Sequence, residues 1–260
     1  MKTTIKNKLI LATLICLAGI YLNSCKKKDT TPPPAANGTL GFHLHTNVDT
    51  NEVANYDSVY VMTGGRKISV HFSQLYISGI QLVKPDGSTY AVPGTIILKK
   101  QQIEPYSVGS VPSGNYTSVS FNVGLSATTN ASTPASADST LNIPAMWLGT
   151  TVQPSGFAFV NFQGKIDTTA AANCTRPQMV SFTYKIGTNA NLKTVNMPTQ
   201  NFTVSPNQMQ YVHMIIDYNK LFTGIKLSTN SNLNVISAAD NALPLATQIK
   251  NNIPLMFKYE

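Results

Sequence analysis

From residue 38 onward, apolar and polar positions alternate along the chain with a period of two. Leu40, Phe42 and Leu44 alternate with Gly41, His43 and His45, the pattern of a strand with one buried face. Ile68, Val70 and Phe72 alternate in the same way with Lys67, Ser69 and His71. The apolar phase then slips through Leu75 and Ile77 to Ile80 and Leu82, which predicts a bulge or corner near 73–79. Lys84-Pro85-Asp86-Gly87 has turn chemistry and predicts a hairpin into 90–92. Further strands are predicted over 95–99, 115–123, 156–163, 178–186, 201–204 and 208–218. The last is apolar in both phases, through Val212, Met214, Ile216 and Tyr211, Ile215, and predicts a central strand covered on both faces. One short helix is predicted over 239–251, with a returning strand over 254–259. The whole predicts an all-β fold: a single antiparallel sandwich or barrel-like domain with long loops and one short C-terminal helix. The two long polar loops are 126–144 and 168–176, and the first leads directly to Met146-Trp147.

Ahead of that domain the pattern changes. Lys2, Lys6 and Lys8 precede an apolar run over 9–22, too short for a spanning helix and shaped like a signal segment. It ends in Leu22-Asn23-Ser24-Cys25, which resembles a bacterial lipobox and predicts acylation of Cys25 after cleavage. Residues 1–24 are therefore expected to be a lipoprotein signal peptide, and 25–37 a lipidated Lys/Pro-rich tether in extended geometry. The lysine run after Cys25 resembles the surface-export signals of Bacteroidota-type lipoproteins. Both features place the expected protein on the outer membrane or cell surface, held by its N-terminal lipid, with the periplasmic face as the other address.

The +8 net charge invites a polyanionic partner, but six of the 19 basic residues lie in 1–37. The rest are scattered through 38–260 without an aromatic-interleaved stripe, so no nucleic-acid partner is expected. Of the three cysteines, Cys16 falls in the signal and Cys25 at the lipid site, leaving Cys174 without a disulfide partner in the domain. Its polar loop fits an incidental thiol better than a soft metal ligand.

Catalytic signatures are absent: there is no His-Glu-x-x-His, no Gly-x-Ser-x-Gly and no phosphate-cradling Gly-rich loop, so the chain is expected not to be an enzyme. The only glutamates are Glu52, Glu104 and Glu260. Asp49, Asn51 and Glu52 offer oxygens but lack the glycine of a calcium-binding loop, and fit a polar connection between strands. Histidine carries the sharper signal. His43 and His45 stand two apart on one strand and project to one face, an arrangement that can chelate copper or zinc. His71, on the polar phase of its own strand, is the natural third donor, and His213 is either a fourth ligand or a core histidine.

Six segments stand in a recognisable order: ISVHFSQLYISGIQLVKPDG from residue 68, PSGNYTSVSFNVG from 112, LNIPAMWLG from 141, GFAFVNFQG from 156, FTYKIG from 182 and VHMIIDYNKLF from 212. Taken together, over roughly 40–224, they resemble the copper-binding MbnP-like domain family. The resemblance implies an all-β copper-binding domain, often paired with a diheme, peroxidase-like partner that oxidises a tryptophan. Trp147, the only tryptophan, is the residue available for that fate, and an aromatic plug for the core is its alternative role. Where the family has His-Ile-Gly this chain has Lys185-Ile186-Gly187, which removes one imidazole from the implied ligand set. The expectation is thus a lipid-anchored, non-catalytic copper protein with His43, His45, His71 and His213 as ligands. The alternative is a metal-free surface adhesion or glycan-handling module presenting Tyr56, Tyr60 and Tyr106.

Overall fold

A computed structural model describes residues 36–149 and 154–260. The predicted signal peptide, Cys25 and most of the predicted tether lie outside the described residues. Along the first half run β1 (Asn37–Val48), β2 (Asn51–Glu52), β3 (Val59–Val61), β4 (Lys67–Val83), β5 (Thr89–Ala91), β6 (Ile96–Lys99), β7 (Pro105–Pro112), β8 (Gly114–Tyr116) and β9 (Ser118–Val123). A short helix α1 (Ala127–Asn130) is followed by β10 (Trp147–Gly149), β11 (Pro154–Ile166), β12 (Val180–Gly187), β13 (Lys193–Asn196), β14 (Phe202–Val204) and β15 (Met209–Asp217). The chain closes with β16 (Asn234–Val235), α2 (Pro244–Asn252) and β17 (Phe257–Tyr259).

The strands form an all-β sandwich. One sheet has the order β17-β15-β1-β2, with β7 also paired to β1. The larger sheet runs β13-β9-β4-β11-β12-β16, with β10 on β11 and β3, β5 and β6 on β4. The sheets are mixed rather than purely antiparallel, because β1 pairs with β15 and β12 with β16 in parallel. Rings from both sheets meet between them. Phe42 on β1 lies 6.1 Å from Phe121 on β9, and Phe121 lies 5.0 Å from Phe257 on β17. Phe162 on β11 stacks on Tyr218 at 4.3 Å.

The phase slip seen in the sequence of β4 is a bulge at Gly79, whose φ of 59° shifts the register against β9 between Ser78 and Gln81. Ile77 and Ile80 are therefore both buried. Pro244 does not interrupt a helix over 239–251: it opens α2, after a separate turn at Asp240–Ala242, because its missing N–H costs nothing in a first turn.

The doubly covered strand is β11, not β15. Ala158, Val160 and Phe162 are buried, and so are Phe157 and Phe159, which join Tyr76, Leu98, Met146 and Trp147 in a second apolar cluster. On β15 the inward-facing Val212, Met214 and Ile216 are buried, with Asp217 buried at the strand end. Tyr211 and Ile215 are half-buried on the outer face, and His213 is exposed there. Their apolar bulk imitates a second buried face in the sequence.

Candidate metal centre

The outer face of the β1–β15 pair is where the histidines meet. Phe42 and Leu44 point into the core, so strand alternation turns His43 and His45 outward. Because β1 and β15 run parallel and in register, His43 stands beside His213, with the rings stacked at 4.9 Å. His45 comes within 4.6 Å of the His43 ring, and its Nε2 lies 3.0 Å from His43 Nδ1, one of the two donating to the other.

Carboxylates reach this row from three directions. Glu260 follows β17, and its N–H donates to the His213 carbonyl at 3.4 Å. Its Oε2 sits 3.3 Å from His213 Nδ1 and 3.5 Å from His45 Nε2. Glu104 precedes β7, and its carbonyl accepts the Leu44 N–H at 2.9 Å. Its carboxylate lies 3.3 Å from His45 Nδ1 and 3.6 Å from His43 Nε2. Glu52 on β2 is the register partner of Asn47, one alternation beyond His45 on the same face.

The turn carrying Glu104 is fastened from below. Lys99 is only 2% exposed, and its Nζ donates to the carbonyls of Lys100 at 2.9 Å and Ile103 at 2.6 Å. Burial lowers its pKa to about 8, with the Glu104 charge pulling in the opposite direction. The Tyr106 hydroxyl accepts the Lys100 N–H at 2.7 Å. Sequence patterning gives no sign of these roles, nor of the three glutamates as site residues. The one available signal is that the chain has just three glutamates, and all three converge here.

The spacing suits an ion. Ligand atoms held about 2.0–2.2 Å from a tetrahedral metal stand roughly 3.3–3.6 Å apart, and the contacts above run from 3.0 to 3.6 Å. Two overlapping groups each keep their ligand atoms within 4.8 Å: His43, His45 and His213, and then His45, Glu52 and Glu104.

His71 is not brought to them. It lies on β4 of the larger sheet, exposed, with Nδ1 2.9 Å from Asp57 Oδ1. Trp147 is also on that sheet, buried in the second cluster, its indole N–H donating to the Leu141 carbonyl at 3.0 Å. Lys185, in the position of the family imidazole, directs its Nζ to the Trp147 carbonyl at 3.4 Å, and burial lowers its pKa. A cation donor facing that carbonyl does not fit a copper site beside Trp147. Cys174 is buried under its loop, where its N–H donates to Asp167 Oδ2 at 3.3 Å and burial pushes the thiol pKa up. Tyr56, Tyr60 and Tyr106, expected as exposed recognition groups, are half-buried and bonded to Ser73, Asn55 and Lys100.

The MbnP family profile matches residues 37–237 of the chain. The chain belongs to the MbnP family. The matched span of this MbnP-family protein contains His43, His45, His213, Glu52 and Glu104, and leaves Glu260 outside. Among solved structures it resembles MbnP from Methylosinus trichosporium, with a TM-score of 0.57 at 16% identity, over 82% of this chain and 88% of that one. At that identity the likeness is one of fold. No curated protein sequence matches the chain.

Proposed function

We propose that this MbnP-family protein is a non-catalytic copper-binding protein of the cell envelope, anchored through lipid on Cys25. The observation that carries the copper reading is the in-register pairing of His43 with His213 beside His45, backed by the Glu104 and Glu260 carboxylates. Neutral imidazole is a good ligand for copper, and a carboxylate within ligand distance of the imidazole nitrogens can complete the set. Copper bound there is the function itself; the strands hold the imidazoles in place so that little ordering is left to binding. The family's association with copper supports this reading, and the lipobox-like Leu22–Cys25 segment supports the anchor.

The test loads the purified protein with copper, desalts it and measures metal per chain. Retained copper that disappears in the His43→Ala/His45→Ala double variant is the expected result; no retained copper overturns the reading. Loss of the Cys25→Ala variant from the membrane fraction checks the anchor. A diheme, peroxidase-like partner is proposed from the family resemblance, and the intact mass of the native protein reports whether Trp147 has been oxidised.

A further inference from the structure

The two overlapping groups share His45, whose two ring nitrogens face different nearest partners, while Glu104 also reaches His43 Nε2 at 3.6 Å. The His45 Nε2 faces His43 Nδ1 at 3.0 Å and Glu260 Oε2 at 3.5 Å, on the side where His213 Nδ1 meets the same carboxylate at 3.3 Å. Its Nδ1 faces Glu104 Oε1 at 3.3 Å, and Glu52 joins His45 and Glu104 in the second group. An imidazole has two ring nitrogens and can ligate through each once its ring proton is lost to solvent.

The geometry points to a two-metal centre in which the His45 ring bridges a nitrogen-rich position formed with His43, His213 and Glu260 to an oxygen-rich position formed with Glu104 and Glu52. This rests on the copper reading above and extends it by a second ion. The chemistry of the two positions differs. Three imidazoles and a carboxylate favour copper(II), whereas one imidazole with two carboxylates suits a harder divalent ion such as zinc. Charge points the same way: Glu52, Glu104 and Glu260 bring three carboxylates to three imidazoles, more negative charge than one dication neutralises.

The backbone explains why the second position lies where it does. His43, His45 and Asn47 fall on one face of β1, and the tight turn at Asp49, with a φ of 58°, folds β2 back so that Glu52 pairs with Asn47. The row of ligands therefore continues past His45 and does not stop there.

The experiment loads the full protein with copper(II), then zinc(II), desalts it, and measures both metals per chain beside the electron paramagnetic resonance spectrum. The expected result is one copper and one zinc per chain, with Glu52→Gln retaining the copper and losing the zinc. Glu52 is exposed, so that variant leaves the core untouched. With copper alone in excess, two coppers bridged by one imidazole couple magnetically, and the expected signal falls far below that of two separate ions. One ion per chain in both wild type and Glu52→Gln overturns the second position while the copper reading stands. Two ions with the full signal of isolated coppers overturn the shared ring. No retained metal overturns both readings at once.

Discussion

At the scale of single residues, the histidine–glutamate row depends on neighbours outside it. Gly41 pairs with Tyr211 across β1 and β15, and a Cβ there would stand 2.5 Å from Tyr211 Cε1. The missing side chain lets the Tyr211 ring lie against the row, edge-on to His43 at 6.2 Å. Gly41→Ala is expected to force that ring aside and to destabilise the protein by about 1–3 kcal/mol, read as a lower urea midpoint; an unchanged midpoint would show that the ring has room to move. Lys99 gives a pH prediction. Its folded pKa of about 8 lies below the ordinary 10.5, so between those values the unfolded chain binds a proton that the folded chain has released. Stability is therefore expected to rise with pH from about 8 to about 9.5, below the range where tyrosines titrate. Urea titrations across that window should show the slope in wild type and a flatter one in Lys99→Met. None of these supporting roles is written in the local sequence, because a glycine or lysine in a strand pattern looks the same whatever lies across from it.

At the scale of elements, strand periodicity was legible where one face is buried. The slip at Gly79 and the outward phase of His43 and His45 could both be read from alternation. The polar loop after β11 could not, since its order comes from one buried carboxylate. Asp167 Oδ1 accepts the Thr169 N–H at 2.8 Å and its hydroxyl at 2.7 Å, and Oδ2 accepts the Cys174 N–H. Burial pushes the Asp167 pKa up, but these donors outweigh it and hold the carboxyl at about 2. A carboxyl lowered in this way stabilises the fold above the ordinary pKa near ~4, and that contribution is lost as pH falls toward the folded value. Asp167→Ala is expected to cost about 1–3 kcal/mol at neutral pH. The gap from wild type should narrow progressively in acid, as measured by denaturant unfolding at several pH values. A gap that stays constant down to pH ~2 would remove Asp167 from the acid response.

At the scale of the whole molecule, the histidine-bearing face is only as rigid as the sandwich beneath it. Phe121 of the larger sheet touches both Phe42 and Phe257, which lie under the strands that carry or precede His43 and Glu260. Phe121→Ala is expected to destabilise the fold by about 3–5 kcal/mol through the cavity left between the sheets. It should also weaken copper retention without removing a ligand. A stability loss with unchanged copper retention would show that the outer face holds its geometry independently of that contact.

The sequence by itself determined the all-β class, the inward and outward phases of β1 and β4, and the outward placement of His43 and His45 on one strand. Those follow from local periodicity, because a strand places alternate residues on opposite faces whatever its neighbours are. Only the tertiary structure decided which candidate ligands meet. His71 shares the polar phase of His43 and His45 but lies on the other sheet, paired with Asp57. His213 and the three glutamates come from distant segments, gathered by the parallel pairing of β1 with β15 and by the neighbours of those two strands. Periodicity specifies a face and not the strand beside it, and polar side chains on an outer face leave no hydrophobic pattern from which their partners can be read.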